Sequence, residues 1–479
     1  MSLSQGVSQG PDGLKTIPWA PNDALKRAHL VGICGAGMKA LAELLTDAGC
    51  SVSGSDLAYP ENVVRSLRNR GVQVHRGHDA TVVPQNADVL VFSPAIGPQN
   101  PERQLAARRG IPQLSYSRML GTLMQGRLGV AVAGTHGKST TTAMVGTILE
   151  TAGLRPSVVV GAELCDRRRS GWAGEGRVLV VESCEYQQSF LNVAPTVAGI
   201  LSIEPDHFDC YADLDAMQAA FTAFAGRIRP GGVLVVSNEC AASRAAASGF
   251  DGDVQTFGVT SGTDWRAKDY NPTDEGARFR VLFRDRLFAE IELPLPGRHN
   301  VLNALAAAAL SHNAGAGPQD VTEGLRAYGG LGRRFEILGT PNGVTLVDDY
   351  AHHPTAVQAT LETTRRRFPG RRIVCAFQPH QVSRTEALFE DFCACFEAAD
   401  EVLIVPIFAA RETQNVLARR LSRALAEGIA KHGPRARYCD CLDQLGTTLE
   451  DEARSGDVVI TMGAGDIDRV QHAFNRRLQ

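Results

Sequence analysis

Short apolar runs alternate with longer amphipathic stretches along almost the whole chain, a rhythm that predicts α/β structure built on largely parallel sheets. The run "AHLVGI" opens it, followed by the glycine turn "CGAGM" and the helical stretch "KALAELLTDAG". "CSVSGSD" and "ADVLVFSPAIG" extend the same unit as further strands. A second unit opens at "RLGVAVAG" and includes "RVLVVE" and "VAGILSI". A third opens at "TLVDDYAHHP" and includes "RRIVCAF", "DEVLIVPI" and "DVVITMGAGD". Each unit has its own strand-turn-helix opening. The pattern therefore predicts three domains, over 23–120, 121–331 and 332–479, behind a loose tail at 1–22.

Composition narrows what these units can bind. At 479 residues, with 44% hydrophobic and 21% charged, the chain has ample core for three domains. A net charge of −3 leaves no broad basic face, so nucleic acid is not an expected partner. An anionic ligand must instead be held locally, by loop amides, helix N-termini and a few Arg or Lys. Eleven cysteines without a C-x-x-C spacing read as reduced thiols. The first residues lack the basic start and apolar run of a signal peptide, and no apolar segment reaches the roughly 18–20 residues of a membrane helix. The expectation is a cytoplasmic protein without a membrane partner, monomeric or homodimeric.

The stretch Ala131–Met144, "AVAGTHGKSTTTAM", carries the strongest chemical signal. It resembles G-x-x-x-x-G-K-[ST] except that Val132 stands where the first glycine belongs. A strand feeds the turn Gly134-Thr135-His136-Gly137, and a helix starts at Lys138 with Ser139 and Thr140 in its first turn. Unpaired amides and the helix dipole attract phosphate at such a place. Lys138 would bridge the β and γ phosphates of ATP, and Ser139 would offer its hydroxyl to Mg2+. An acid for the metal is expected at a neighbouring strand tip, where Glu182 ends "RVLVVE". Asp206, His207 and Asp209 end another apolar run. A lone His207 would read as structural, but beside a phosphate loop it reads as a ligand.

The first unit has glycines in the order G-x-x-G-x-G, not the dinucleotide pattern G-x-G-x-x-G, because Cys34 occupies the place of the second glycine. Asp56 falls where a ribose-binding acid would lie, so a nicotinamide enzyme is the rival reading of this unit. The ATP signals downstream weigh against it.

Six motifs then occur in one order: "GTHGKST", "DHFDCY", "GRHNVLNALAA", "GRRFE", "DDYAHHPTA" and "FQPHQVSRT". Together they resemble the Mur ligase family, and most closely the branch that joins L-alanine to UDP-N-acetylmuramate in peptidoglycan precursor synthesis. The resemblance runs from about His29 to Asp466. It implies a Rossmann-like N-terminal domain for the UDP-sugar, a central P-loop ATPase-like domain, and a Rossmann-like C-terminal domain for the amino acid. It also implies ATP and Mg2+ as cofactors and an acyl-phosphate route to the amide.

The resemblance further assigns residues. Gly134, Thr135, His136, Gly137, Lys138, Ser139 and Thr140 would hold phosphates; His299, Asn300 and Asn303 would sit near adenine. Arg334, or less favourably Arg333, would approach the γ-phosphate, and Asp349 the nucleotide or metal. Ser139, Glu182 and His207 would serve metal. Gly35, Ala36, Gly37 and Met38 would wrap the UDP-sugar diphosphate, with Ser55 and Asp56 near uridine and Ser93 and Asn100 as a second wall. Tyr350, His352 and Arg384 would meet the incoming amino acid. Lys138, Glu182, His207, Arg334, His352 and Arg384 form the implied catalytic set.

Two stretches depart from the family pattern. The acidic segment E-A-D-E-S-D-x-S-F reads Glu182-Ser183-Cys184-Glu185-Tyr186-Gln187-Gln188-Ser189-Phe190 here. The segment F-Q-P-H-R-Y-[ST]-R-T carries Gln381 in place of its first arginine. Glutamine offers neutral hydrogen bonds where arginine offers a charged fork. Glycine and serine therefore stay beside alanine as acceptors. A recycling ligase that adds a tripeptide to the same UDP-sugar, and a nucleotide-binding homologue without turnover, are the alternatives.

Overall fold

The computed structural model describes residues 25–478 except 274, 411 and 413–415; the predicted tail at 1–22 lies outside the described residues. Three sheets form, each from one stretch of sequence, as the three-unit pattern predicts. In the first, Arg27–Val31 lies between Ser51–Asp56 and Val89–Phe92, with Gln73–Arg76 and Gln113–Ser115 outside, all parallel. Chain order reverses beside Arg27–Val31, which opens a crevice at the C-terminal ends of the strands.

The second sheet has ten strands. Leu128–Ala133 runs parallel between Val178–Glu182 and Val197–Ile200. Val130, Ala131, Val132 and Ala133 have no exposed surface, as expected of a strand covered on both faces. The helix Lys138–Thr151 that follows is buried from Ser139 through Leu149. Small Thr, Ala and Gly residues let it sit inside the domain, where the alanine-rich helix Arg298–Asn313 packs alongside.

Two parts of this sheet depart from the parallel expectation: Arg169–Trp172 pairs antiparallel with Ser157–Leu164 at one edge, and a longer departure lies at the other. Trp265–Pro272, Ala277–Phe283 and Arg286–Leu293 form an antiparallel extension. Ala277–Phe283 alternates Ala, Phe and Val inward with Arg outward, the pattern of a strand with one wet face.

The third sheet is parallel from Thr345–Asp349 through Val458–Met462, Ile373–Phe377 and Glu401–Ile404 to Arg435–Tyr438, with Glu336–Gly339 antiparallel at its edge. The sheets dock through polar bonds as well as apolar packing. Glu43, fully buried on the helix Ala36–Asp47, accepts from the N–H groups of Ser170 and Gly171 at 2.7 and 3.0 Å. A Cβ on Gly171 would lie 1.9 Å from the Ala40 carbonyl oxygen, so this dock requires glycine. Lys39 adds ion pairs to Glu43 and Glu163 at 3.0 and 2.9 Å. No helix among the described residues is long and apolar enough to cross a membrane.

Candidate active site

The phosphate-type loop starts later than in the standard pattern. Val132 is still inside the strand, in register with Glu182, and its carbonyl accepts from Ser183 N–H at 2.9 Å. The chain turns only at Gly134 (φ 138°), and Gly137 (φ 79°) precedes the helix. A Cβ on Gly137 would fall 2.2 Å from Asn303 Oδ1, and one on Gly134 would crowd Ser202 N at 3.0 Å. Both positions thus need glycine for backbone conformation and for close approach. No side chain caps the helix at Gly137, so its opening amides face the cleft as an anion site.

Lys138 folds over this loop. Its ammonium donates to the Gly134 carbonyl and pairs with Glu185 at 2.9 Å. Burial alone would lower its pKa, but the Glu185 carboxylate outweighs that and leaves it raised. Burial likewise works against the charge of Glu185, and Lys138 and His207 outweigh it to hold the carboxyl below its ordinary value. His207 Nε2 stands 3.3 Å from Glu185, while its Nδ1 is buried without a hydrogen-bond partner. His207 has φ 53°, a left-handed conformation that stores strain at this position. Glu182, at its strand tip, accepts from Gly161 N–H at 2.6 Å. Cys184, Glu185 and His207 bring ligand atoms within 4.8 Å of one another.

Glu185, which the motifs do not single out, is the partner of both Lys138 and His207. The signal was present: an acid three residues past a strand tip can fold back over a neighbouring loop.

The third sheet supplies the opposite wall. Arg334 stacks over Tyr350, its guanidinium carbon 4.8 Å from the ring centre. Asp349 accepts from Phe335 and Ala351 N–H at 2.8 and 2.7 Å, and burial raises its pKa. Arg333 is held elsewhere, donating to the carbonyls of Gly463 and Gly465 and pairing with Asp348 at 3.3 Å. His352 has Nδ1 2.8 Å from the Tyr350 carbonyl, which can only accept, so Nδ1 carries the proton and Nε2 the lone pair. Burial, with Arg384 and His380 nearby, pushes its pKa well down.

Arg384 lies away from open space. The resemblance sends it to the amino acid, yet it is 2% exposed. Its Nε and Nη2 donate to Asp206 at 2.7 and 2.6 Å, and its Nη1 to the His380 carbonyl at 3.0 Å. With its fork engaged, it positions the loop carrying His207 against the third sheet. Gln381, buried at φ 70°, has its Nε2 without a partner.

Thr135 through Thr140, Glu182, His207, His299, Asn300, Asn303, Arg334, Asp349, Tyr350 and His352 line one cleft of about 650 Å³. Asn300 donates to the Pro296 carbonyl at 2.7 Å, and Asn303 to Asn300 at 3.2 Å, which shapes the far end. Burial, then the charge of Arg366, lowers His299 to about 4. The size and lining suit a nucleoside triphosphate. His207 Nε2, which faces the Glu185 and Asp206 carboxylates at 3.3 and 4.0 Å, suits a divalent ion.

The first-sheet residues are not part of this cleft. Gly35 precedes the helix whose first turn holds Ala36, Gly37 and Met38, at the strand-end crevice with Asp56 and Ser93. Met38 is buried, and a Cβ on Gly37 would meet the Tyr116 ring at 2.8 Å, so packing accounts for both. Asp56 accepts from Cys34 N–H at 2.8 Å and braces the glycine turn. Ser55, expected near uridine, is fully buried and donates to Glu102 at 2.6 Å. Asn100 caps the helix Pro101–Arg108, accepting from Glu102 and Arg103 N–H at 2.9 and 3.2 Å.

Known proteins share this architecture. Family models described as "Mur ligase family, catalytic domain", "Mur ligase middle domain" and "Mur ligase, glutamate ligase domain" match residues 27–128, 132–311 and 333–465. A UDP-N-acetylmuramate–L-alanine ligase of Caldanaerobacter subterraneus is 37% identical over 454 residues, covering 94% of this chain and 98% of that protein. The Salinibacter ruber protein of the same name is 39% identical, covering 95% of each. Among solved structures, the UDP-N-acetylmuramate-alanine ligase of Thermotoga maritima superposes with a TM-score of 0.79 at 26% identity, over 94% of this chain and 98% of that one.

Proposed function

The chain belongs to the Mur ligase family, and from that premise we propose that it joins L-alanine to the carboxylate of UDP-N-acetylmuramate, consuming ATP, in cytoplasmic synthesis of peptidoglycan precursors. The names of its relatives support the substrate pair. The observation that carries the chemistry is one cleft with Lys138, Glu185 and His207 on one wall and Arg334 and His352 on the other.

The loop amides and Lys138 hold the β and γ phosphates and offset charge as two anions approach. Ser139, Glu182 and His207 would hold Mg2+, which when bound supplies further charge neutralisation. A carboxylate oxygen of the sugar bonds to the γ-phosphorus, and ADP leaves. The alanine amine, reacting in its neutral form, then bonds to the acyl carbon and passes its extra proton to His352 Nε2 as the bond forms. Phosphate departs with the original carboxylate oxygen. Arg334 stabilises charge on the transferring group. The crevice of the first sheet, with Gly35, Asp56 and Ser93 at its rim, receives the UDP moiety. The far end of the cleft, around His299 and Asn303, receives adenine.

Mass spectrometry of reactions holding UDP-N-acetylmuramate, ATP, Mg2+ and alanine, glycine, serine or the stem tripeptide tests the reading. It expects the alanine adduct with ADP and phosphate. A tripeptide adduct without an alanine adduct would overturn the substrate, and ATP binding without any adduct would overturn the ligase.

A further inference from the structure

A second cluster sits at the rim of the cleft: His136 in the phosphate-type loop, Glu204 beyond the strand Val197–Ile200, and His353 ahead of the helix Pro354–Arg367. We propose that these three side chains form a site for a borderline transition ion, of which Zn2+ is the type, and that the ion ties the loop to the third sheet.

Hydrogen placement carries the argument. His353 Nε2 lies 3.3 Å from the Pro205 carbonyl, which can only accept, so Nε2 bears the proton. Its Nδ1 is therefore a bare lone pair. That atom is buried without a hydrogen-bond partner and stands 3.7 Å from Glu204 Oε2. A lone pair facing a carboxylate oxygen is unfavourable until a cation stands between them. His136 Nε2 approaches the same oxygen at 3.2 Å, and its ring centre lies 4.8 Å from that of His353. All the ligand atoms fall within 4.8 Å of one another. Tetrahedral Zn2+ with bonds of ~2.0–2.1 Å separates its ligands by about 3.3 Å, so the widest pair closes by roughly 1.5 Å at most.

The surroundings agree. Thr355 donates to Glu204 at 2.6 Å, and the Pro205 carbonyl orients His353; such outer bonds fix ligands in metal sites. Burial, with His136 alongside, holds His353 near 4 and leaves it neutral. Burial opposes the charge of Glu204, but the bonds from His136 and Thr355 outweigh it, and its pKa drops to about 2. Two imidazoles and one carboxylate suit Zn2+, Co2+ or Ni2+ better than Mg2+, and three protein ligands leave a position open to the cleft. The site shares no residue with the group of Cys184, Glu185 and His207 and does not rest on the ligase reading.

The test is titration of the full chain, without nucleotide, by Co2+ and by Zn2+ against a chromophoric chelator. One equivalent should bind with a cobalt d–d spectrum free of thiolate charge transfer. His353→Ala should weaken binding by about a hundredfold or more, beyond what loss of an outer partner does. Glu204→Gln should do the same, and Cys184→Ser should leave binding intact. Circular dichroism reports whether each variant folds, and His136→Gln replaces any that does not. Absence of binding at micromolar ion, binding indifferent to His353→Ala, or a thiolate band lost in Cys184→Ser would each overturn the proposal. The last would move the ion to Cys184, Glu185 and His207.

Discussion

Two clusters in this molecule use nearly the same parts to opposite ends. In the first sheet, Glu102 meets His29 at 2.7 Å, His78 at 3.1 Å and the Ser55 hydroxyl at 2.6 Å. At the cleft, Glu204 meets His136 at 3.2 Å, His353 at 3.7 Å and the Thr355 hydroxyl at 2.6 Å. Each is a carboxylate, two imidazoles and a hydroxyl. The first is sealed: Glu102 and His29 have no exposed surface, and the second His29 nitrogen is bonded to Ser53 at 2.8 Å. The second bridges two sheets, opens on a cavity and leaves a nitrogen unpartnered. A polar set with its bonds satisfied inside one unit holds a fold together. The same set left short of a bond, at a junction, is chemically available.

Substitutions can break that contrast. The largest effect falls in the cleft: Lys138→Met should lower kcat of the folded enzyme about a thousandfold, roughly 4 kcal/mol of barrier, and should also cost stability, because it leaves the buried Glu185 carboxylate to His207 alone. Loss of stability with kcat of the folded enzyme unchanged would show that Lys138 belongs with the sealed cluster in kind. Arg384→Met comes next. It leaves Asp206 buried without its partner and should cost about 3 kcal/mol of stability, read by denaturant titration. If Arg384 instead served only the amino acid, stability would hold and KM for alanine alone would rise.

Glu102→Ala should cost about 2 kcal/mol of stability by stranding two imidazoles and a hydroxyl, with kcat of the folded enzyme close to that of the parent. A selective loss of turnover would erase the distinction between the clusters. The smallest effect is on pH. His299 and His353 are both held near 4, below the ordinary 6.5, so the unfolded chain binds protons first as pH falls. Stability should fall as pH drops from about 6.5 to about 4, with a slope of at most about 1.4 kcal/mol per pH unit for each histidine. Below that window their contribution is constant. His299→Gln should flatten the slope; an unchanged slope would mean that His299 is already protonated in the folded protein.

Much of this was legible in the sequence because local chemistry left few choices. Gly134 and Gly137 announce a turn that no other residue fits, and the uniformly apolar strand before them announces burial on both faces. His207, Arg334 and Asp349 follow from motifs whose neighbours are close in the chain. What stayed hidden depends on distant partners. Arg384 looks free until Asp206 is brought against it from another sheet. Ser55 looks like a ligand-binding hydroxyl until Glu102 arrives beneath it. Glu185 reads as a remnant until Lys138 and His207 close on it from either side. The antiparallel extension at 265–293 was missed for a simpler reason: its alternation of inward apolar and outward Arg or Glu is a period-two pattern inside a chain dominated by continuous apolar runs.

The central claim is that this cleft activates a carboxylate by moving a phosphoryl group onto it. UDP-N-acetylmuramate labelled with oxygen-18 in its carboxylate, incubated with ATP, Mg2+ and alanine, tests that step directly through the mass of the released phosphate. The account predicts one labelled oxygen in inorganic phosphate for each amide formed, with ADP as the other product. Label found in AMP, or amide formed with unlabelled phosphate, would contradict it.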